Sequence, residues 1–166
     1  MDVIDAFIRR LPKRSRPDFA EYKKQFRLAN SVELSDFALL GQTEAKLPSD
    51  GFSLVDPLDR NAMCCDLLLE VAGYRYYFDK ISSPLEIGQQ LDLIAEPQNE
   101  RDPNAVRVCA ANETVGYINR LRAPTFSYWV RCRTLTAEVE RLNGRRDHPR
   151  AFIFVRVRSR SQSVAA

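Results

Sequence analysis

Apolar residues recur at helical spacing in the first third of the chain and at strand spacing in the rest. Val3, Ile4, Phe7, Ile8 and Leu11 fall three or four apart, which predicts a short amphipathic helix over residues 2–11, closed by Pro12. Phe19, Tyr22, Phe26 and Leu28 form the stripe of a second helix over about 16–28. Ser15 is its candidate N-cap, and Pro17 sits in the first turn, where proline is tolerated. Ser35 is placed to cap a third short helix ending near Gly41. Residues 47–61 are dense in turn formers and read as an ordered loop or linker.

From residue 62 the period shortens. Residues 67–71 form a short apolar run, and Tyr74, Tyr76, Tyr77 and Phe78 stand in a stretch rich in strand-favouring aromatics. Residues 91–95, 105–109, 115–118, 135–139 and 151–157 read as further strands, broken by Gly, Pro and Asn. Ala123 to Val130 predicts one helix between two of them, with Trp129 as packing. The pattern is that of a small barrel or sandwich with one inserted helix, behind a helical arm. From Ser159 the chain is polar and reads as a disordered tail.

Length and composition agree with this. The chain has 166 residues, 45% apolar and 28% charged, which fits one globular domain with an extension. No run approaches the roughly 18 apolar residues of a membrane span. The N-terminus lacks the basic start and apolar run of a signal peptide, so the expected setting is cytoplasmic, without a membrane partner. Cys64, Cys65, Cys109 and Cys132 contain no Cys-x-x-Cys pair, and His148 is the one histidine. That inventory is poor for a structural zinc site, so free thiols and no metal or cofactor are expected. His148 itself has no visible partner and reads as a loop residue.

Charge is distributed unevenly. Residues 1–64 are neutral, residues 65–119 carry −5, and residues 120–160 carry +8, with eleven arginines and no lysine. Arginine presents a planar fork that matches phosphate and stacks on aromatic rings. Such a stretch is either an electrostatic footprint for nucleic acid or a solvated, salt-bridged face. A second basic run, Arg9 to Arg27, lies among helical apolar spacings and reads as a helix surface.

One central stretch is more specific. It begins Val71-Ala72-Gly73-Tyr74-Arg75-Tyr76-Tyr77 and passes through Gly88, Leu91 and Leu93. It continues Glu96-Pro97-Gln98-Asn99-Glu100-Arg101-Asp102-Pro103-Asn104-Ala105-Val106-Arg107-Val108 and ends Val115-Gly116-Tyr117-Ile118-Asn119-Arg120. Over about residues 65–157 this resembles the HIRAN domain family. The resemblance implies a mainly β fold, a small OB-like or SH3-like barrel over residues 62–158. The helical arm and linker, 1–61, precede it, and the tail, 159–166, follows. In fork-remodelling translocases such a module captures the 3′-hydroxyl end of single-stranded DNA. No Gly-x-x-x-x-Gly-Lys-Ser/Thr loop stands in this sequence, so the expectation is a free-standing module with any helicase, ATPase or nuclease partner supplied in trans.

The resemblance also implies roles for residues. Asp102 matches the carboxylate that accepts the hydroxyl's hydrogen bond, a charge-assisted contact that would repel a 3′-phosphate. Arg75 and Arg120 match basic positions that hold phosphates, with Arg120 standing where the best-known members have lysine. Tyr76 matches an aromatic that supports bases, and Asn99 and Tyr117 match further pocket positions. Arg101 departs from the family, where that position is aromatic. A guanidinium can stack on a base, but the change equally fits phosphate contact or loss of end recognition. Phe152 and Phe154 are unaligned candidates for a later pocket aromatic. Asp102 and Asn104 have a plainer alternative as turn caps, and Gly73 and Gly116 read as serving backbone geometry. Tyr77 and Phe78 read as core.

Three functions follow. The first is a binding module for single-stranded DNA (or RNA), reading its 3′ end in repair, replication or defence. The second is a protein-docking module with the helical arm as adaptor. The third, a small hydrolase, lacks a tight carboxylate cluster or a Cys/His pair, so an enzyme is not expected.

Overall fold

The computed structural model describes residues 3–43, 55 and 58–160. Most of the linker expected at 47–61, and residues 161–166 of the expected tail, lie outside them. The chain divides into two compact units, Met1–Asp56 and Pro57–Ala166. The division falls a few residues before the boundary expected at 61/62.

The first unit holds α1 (Val3–Ile8), α2 (Phe19–Gln25) and α3 (Asp36–Thr43). All three were expected, and the first two are shorter than the apolar stripe implied. Asp18, not Ser15, is at the N-cap of α2, and its carboxylate makes no capping bond because both oxygens accept from Arg16, at 2.9 and 2.6 Å. The helix stops before Arg27, whose φ of 54° is left-handed. Ser35 does cap α3, its Oγ accepting from the Ala38 N–H at 3.1 Å. That helix runs past Gly41 to Thr43 and buries Leu39 and Leu40.

The second unit is a six-stranded antiparallel sheet with two helices. Its strands are β1 (Cys65–Glu70), β2 (Gln90–Ala95), β3 (Val106–Ala110), β4 (Glu113–Tyr117), β5 (Arg133–Arg145) and β6 (His148–Ser159). Helix α4 (Tyr74–Tyr77) follows β1, and α5 (Ala123–Cys132) precedes β5. The sheet order is β1-β6-β5-β2-β3-β4. The edges meet at one point, a bridge between Ala72, just past β1, and Tyr117, at the end of β4. The expected barrel is therefore joined at its seam by a single bridge and is not closed by a continuous ladder.

Strand alternation places the core. Along β6, Ala151, Ile153, Val155 and Val157 are buried, and Arg150, Phe152, Arg156 and Arg158 alternate with them on the outer face. β3 and β4 add Val106, Val108 and Val115, and α5 inserts Phe126 and Trp129. Proline in the first turn opens α5, as expected, and the Trp129 indole N–H donates to the Arg60 carbonyl at 2.8 Å. The β3–β4 hairpin turns through Ala111 and Asn112, both at positive φ, as a two-residue turn of that twist requires.

Four expectations are corrected here. The aromatic stretch 74–78 is not a strand but the helical turn α4 and its cap. Gly73 at φ 77° reverses the chain after β1, which drops the Tyr74 ring into the core against Phe78, with centroids 5.7 Å apart. The runs at 135–139 and 151–157 are segments of two much longer strands, paired from Arg133↔Ser159 to Arg145↔His148. His148 thus opens a strand instead of lying in a loop. Ser159 ends β6 and is buried, so the ordered sheet includes the first residue assigned to the tail.

Candidate nucleic-acid interface

The loop between β2 and β3 is built by its own polar side chains. Glu96 and Ala105 close its base, with the Glu96 N–H donating to the Ala105 carbonyl at 2.9 Å. The Asn99 carbonyl oxygen accepts from the Arg101 and Asp102 N–H groups at 3.0 and 3.2 Å, while its amide nitrogen donates to Glu96 Oε2 at 2.9 Å. Asn99 therefore shapes the loop through both ends of its amide. Asp102 Oδ1 accepts from the Asn104 N–H at 2.9 Å, the turn cap that Asp favours. Its other oxygen, Oδ2, lies 4.0 Å from Arg120 Nε, a loose pair between a carboxylate 23% exposed and a guanidinium 85% exposed. The Arg101 side chain stands exposed beside it.

Glu96 is the hub of this loop. Oε1 lies 3.0 Å from Arg107 Nε, and Oε2 accepts from Asn99 and, at 3.3 Å, from the Tyr117 hydroxyl. Burial and the neighbouring Glu96 carboxylate push the Tyr117 phenol up to about 12, so it stays a neutral donor. Glu96 opens the loop motif in the sequence, yet its role was missed, because nothing in its spacing tells a structural carboxylate from a ligand contact.

Tyr117 joins the loop to α4. Its backbone exchanges hydrogen bonds with Ala72 at 2.8 and 2.9 Å, and its ring centroid lies 6.2 Å from that of Tyr77. The chains can approach so closely because residue 116 is glycine, at φ 152°. A Cβ there would stand 2.5 Å from Val71 Cγ1 and 2.6 Å from the Ala72 carbonyl oxygen. On the outer side of α4, Tyr76 is 60% exposed. The Arg75 guanidinium lies 4.6 Å from the Tyr76 ring centroid, and its Nη2 donates to the Tyr76 hydroxyl. Its Nη1 lies 3.5 Å from His148 Nε2.

The seven residues singled out from the sequence thus fall into two groups on either side of Tyr117. Asn99, Arg101, Asp102 and Arg120 gather at the loop; Arg75 and Tyr76 form a cation–aromatic pair on α4. Among the described residues no hydrogen bond or ion pair joins the two groups directly. Phe152 and Phe154 belong to neither. Phe152 packs between Arg141 and Arg150, and Phe154 is buried under Arg156. His148 is an addition that sequence reasoning missed.

The remaining chemistry is sparse. The four cysteines are free thiols; burial and nearby Asp66 push Cys65 up to about 11, which leaves it protonated and inert at neutral pH. Among the described residues no cluster of three or more His, Cys, Asp or Glu is disposed to hold a metal, and no helix is long and apolar enough to cross a membrane.

The arrangement defines a class: a mainly β binding module whose polar loop and aromatic helical turn meet at a sheet seam. Residues 66–147 match the family model of the HIRAN domain, and over that segment the chain belongs to the HIRAN family. HIRAN is a binding domain without catalysis of its own, known as a DNA-binding module, so the family supports a nucleic-acid partner. Among solved structures, the HIRAN domain of human HLTF is 20% identical, and the match covers 60% of this chain and 81% of that one at a TM-score of 0.48. A protein from Lactobacillus plantarum is also 20% identical, with 57% and 98% covered and a TM-score of 0.42. No curated protein matches the chain.

Proposed function

We propose that this module binds the 3′-hydroxyl end of single-stranded DNA, with Asp102 as acceptor of the terminal hydroxyl. The observation that carries the reading is the Asp102 carboxylate itself. One oxygen is committed to the turn, and the other, on a partly exposed side chain, makes only a loose pair to Arg120. A hydroxyl donating to Oδ2 gains a charge-assisted bond, while a terminal phosphate meets a like charge. Arg120, Arg101 and Arg75 supply cations for the flanking phosphates, and the exposed Tyr76 ring offers a face to a base.

Fluorescence anisotropy at about 150 mM salt tests this, with one short strand ending in either a 3′-hydroxyl or a 3′-phosphate. The hydroxyl end is expected to bind the wild-type protein more tightly. Asp102→Asn keeps an oxygen for the Asn104 N–H but removes the charge. It is expected to weaken hydroxyl-end binding by about fivefold to tenfold and to narrow the gap between the two ends. Equal wild-type affinity for both ends overturns the reading.

A further inference from the structure

Five arginines of the last strands and the turn between them fall into two groups. Arg150 donates to both Glu70 oxygens at 2.8 and 2.6 Å, Arg156 Nη2 lies 3.2 Å from Glu138, and Arg158 Nη1 lies 2.6 Å from Asp66. These three form the salt-bridged face that the charge pattern allowed. Arg145 and Arg146 differ. Both are exposed at the tip of the β5–β6 hairpin, and neither has a hydrogen-bonding side chain or carboxylate partner among the described residues.

This tip extends beyond the rest of the sheet. On the β1 side the last backbone bond to β6 is from the Val71 N–H to the Ala151 carbonyl at 2.9 Å, and on the β2 side the last to β5 is from the Gly88 N–H to the Val139 carbonyl at 2.7 Å. From Asn143↔Arg150 to Arg145↔His148 the hairpin is a two-stranded ribbon. The two-residue period places Arg141, Asn143, Arg145, His148, Arg150 and Phe152 on one face of it. The guanidinium groups of Arg141 and Arg150 lie 4.6 and 5.0 Å from the Phe152 centroid, so that ring anchors cations instead of offering a bare face to a base. Residues 141–150 carry four arginines against one carboxylate, Asp147. The ribbon adjoins α4 directly, through Arg75 and His148.

We propose that this ribbon is a second nucleic-acid contact, a track for the phosphate backbone of single-stranded DNA that continues from α4 to nucleotides upstream of the bound end. Its ligand rests on the reading above, but its chemistry is separate. The loop around Asp102 reads the terminus, whereas the ribbon offers guanidinium forks to phosphates, a contact indifferent to base and to terminus. Affinity gained there depends on strand length and on salt.

The test uses the full chain and strands of about 4 and about 12 nucleotides, each ending in 3′-hydroxyl or 3′-phosphate. Wild type is compared with the double variant Arg145→Gln, Arg146→Gln. Arg156→Gln, a change at an already paired arginine, serves as control. The double variant is expected to lose about tenfold in affinity for the longer strand at about 150 mM salt, and less than twofold for the shorter. Its log–log salt slope is expected to fall by about 1.4, the value for two phosphate contacts on a single strand. The control is expected to keep the wild-type length dependence. Unchanged affinity of the double variant for the longer strand overturns the track, as does an equal loss on both lengths. A wild type that ignores the terminus, while the double variant still loses length-dependent affinity, overturns end recognition and leaves the track standing.

Discussion

Asp102 shows how one side chain can serve a turn and remain open to a ligand. A carboxylate has two oxygens, and the turn occupies one. The same economy is absent from Asn99, whose amide is engaged at both ends inside the loop and holds the Asp102 backbone in place. Tyr117 is a third case, a neutral phenol held by Glu96 and packed beside Tyr77. Its folded value of about 12 stands above the ordinary 10.0. Below pH 10 the phenol is neutral in folded and unfolded chains alike, and its contribution to stability is complete. Between pH 10 and 12 the unfolded chain ionises first, binds fewer protons and gains in population, so that contribution is lost. Tyr117→Phe is expected to make the fall in stability over this window shallower, measured by urea unfolding at stepped pH. An unchanged slope would remove the buried-phenol account.

Among the elements, α4 departs furthest from its local composition. Four aromatics in five residues favour a strand, but a strand continuing β1 would carry Arg75 and Tyr76 away from the seam. The left-handed Gly73 turns the chain, and burial of Tyr74 secures the single helical turn that follows. Space exists for a methyl group at residue 73, with the nearest atom 3.7 Å away, so the cost of Gly73→Ala is conformational. That substitution is expected to lower stability by about 1–2 kcal/mol, read as a lowered urea midpoint with an unchanged m-value. The β5–β6 hairpin shows the opposite relation. Its alternation was legible in one piece on each strand, and the bulge between Val139 and Arg141 ends the regular pattern in β5.

Over the whole molecule, the uneven charge along the chain is partly cancelled by the fold. The acidic middle segment lies against the arginine-rich end through Asp66–Arg158, Glu70–Arg150 and the loose Asp102–Arg120 pair. Arg101 at the loop and Arg145 and Arg146 at the hairpin tip stay outside these pairs. Among the described residues, the members of the hydrophobic core that positions these groups run from Leu58 onward. A fragment beginning at Pro57 is therefore expected to fold alone and to show the same urea midpoint as the full chain, followed by fluorescence of the buried Trp129. A markedly lower midpoint would assign residues 1–56 a share in that core.

Period, turn chemistry and one polar motif determined much of this protein from sequence alone. They placed the helical arm, most strands, the inserted helix and the loop carrying Asn99, Arg101 and Asp102, because each is a local pattern with a local physical cause. Tertiary structure alone decided the rest. The pairing of Ala72 with Tyr117 and the meeting of Arg75 with His148 join residues distant in the chain, and burial of Tyr74 in the core turned the aromatic run into α4. The division of the arginines into paired and unpaired was likewise invisible in the sequence. A charge shows its sign in the sequence, but its partner is set by which strands lie side by side.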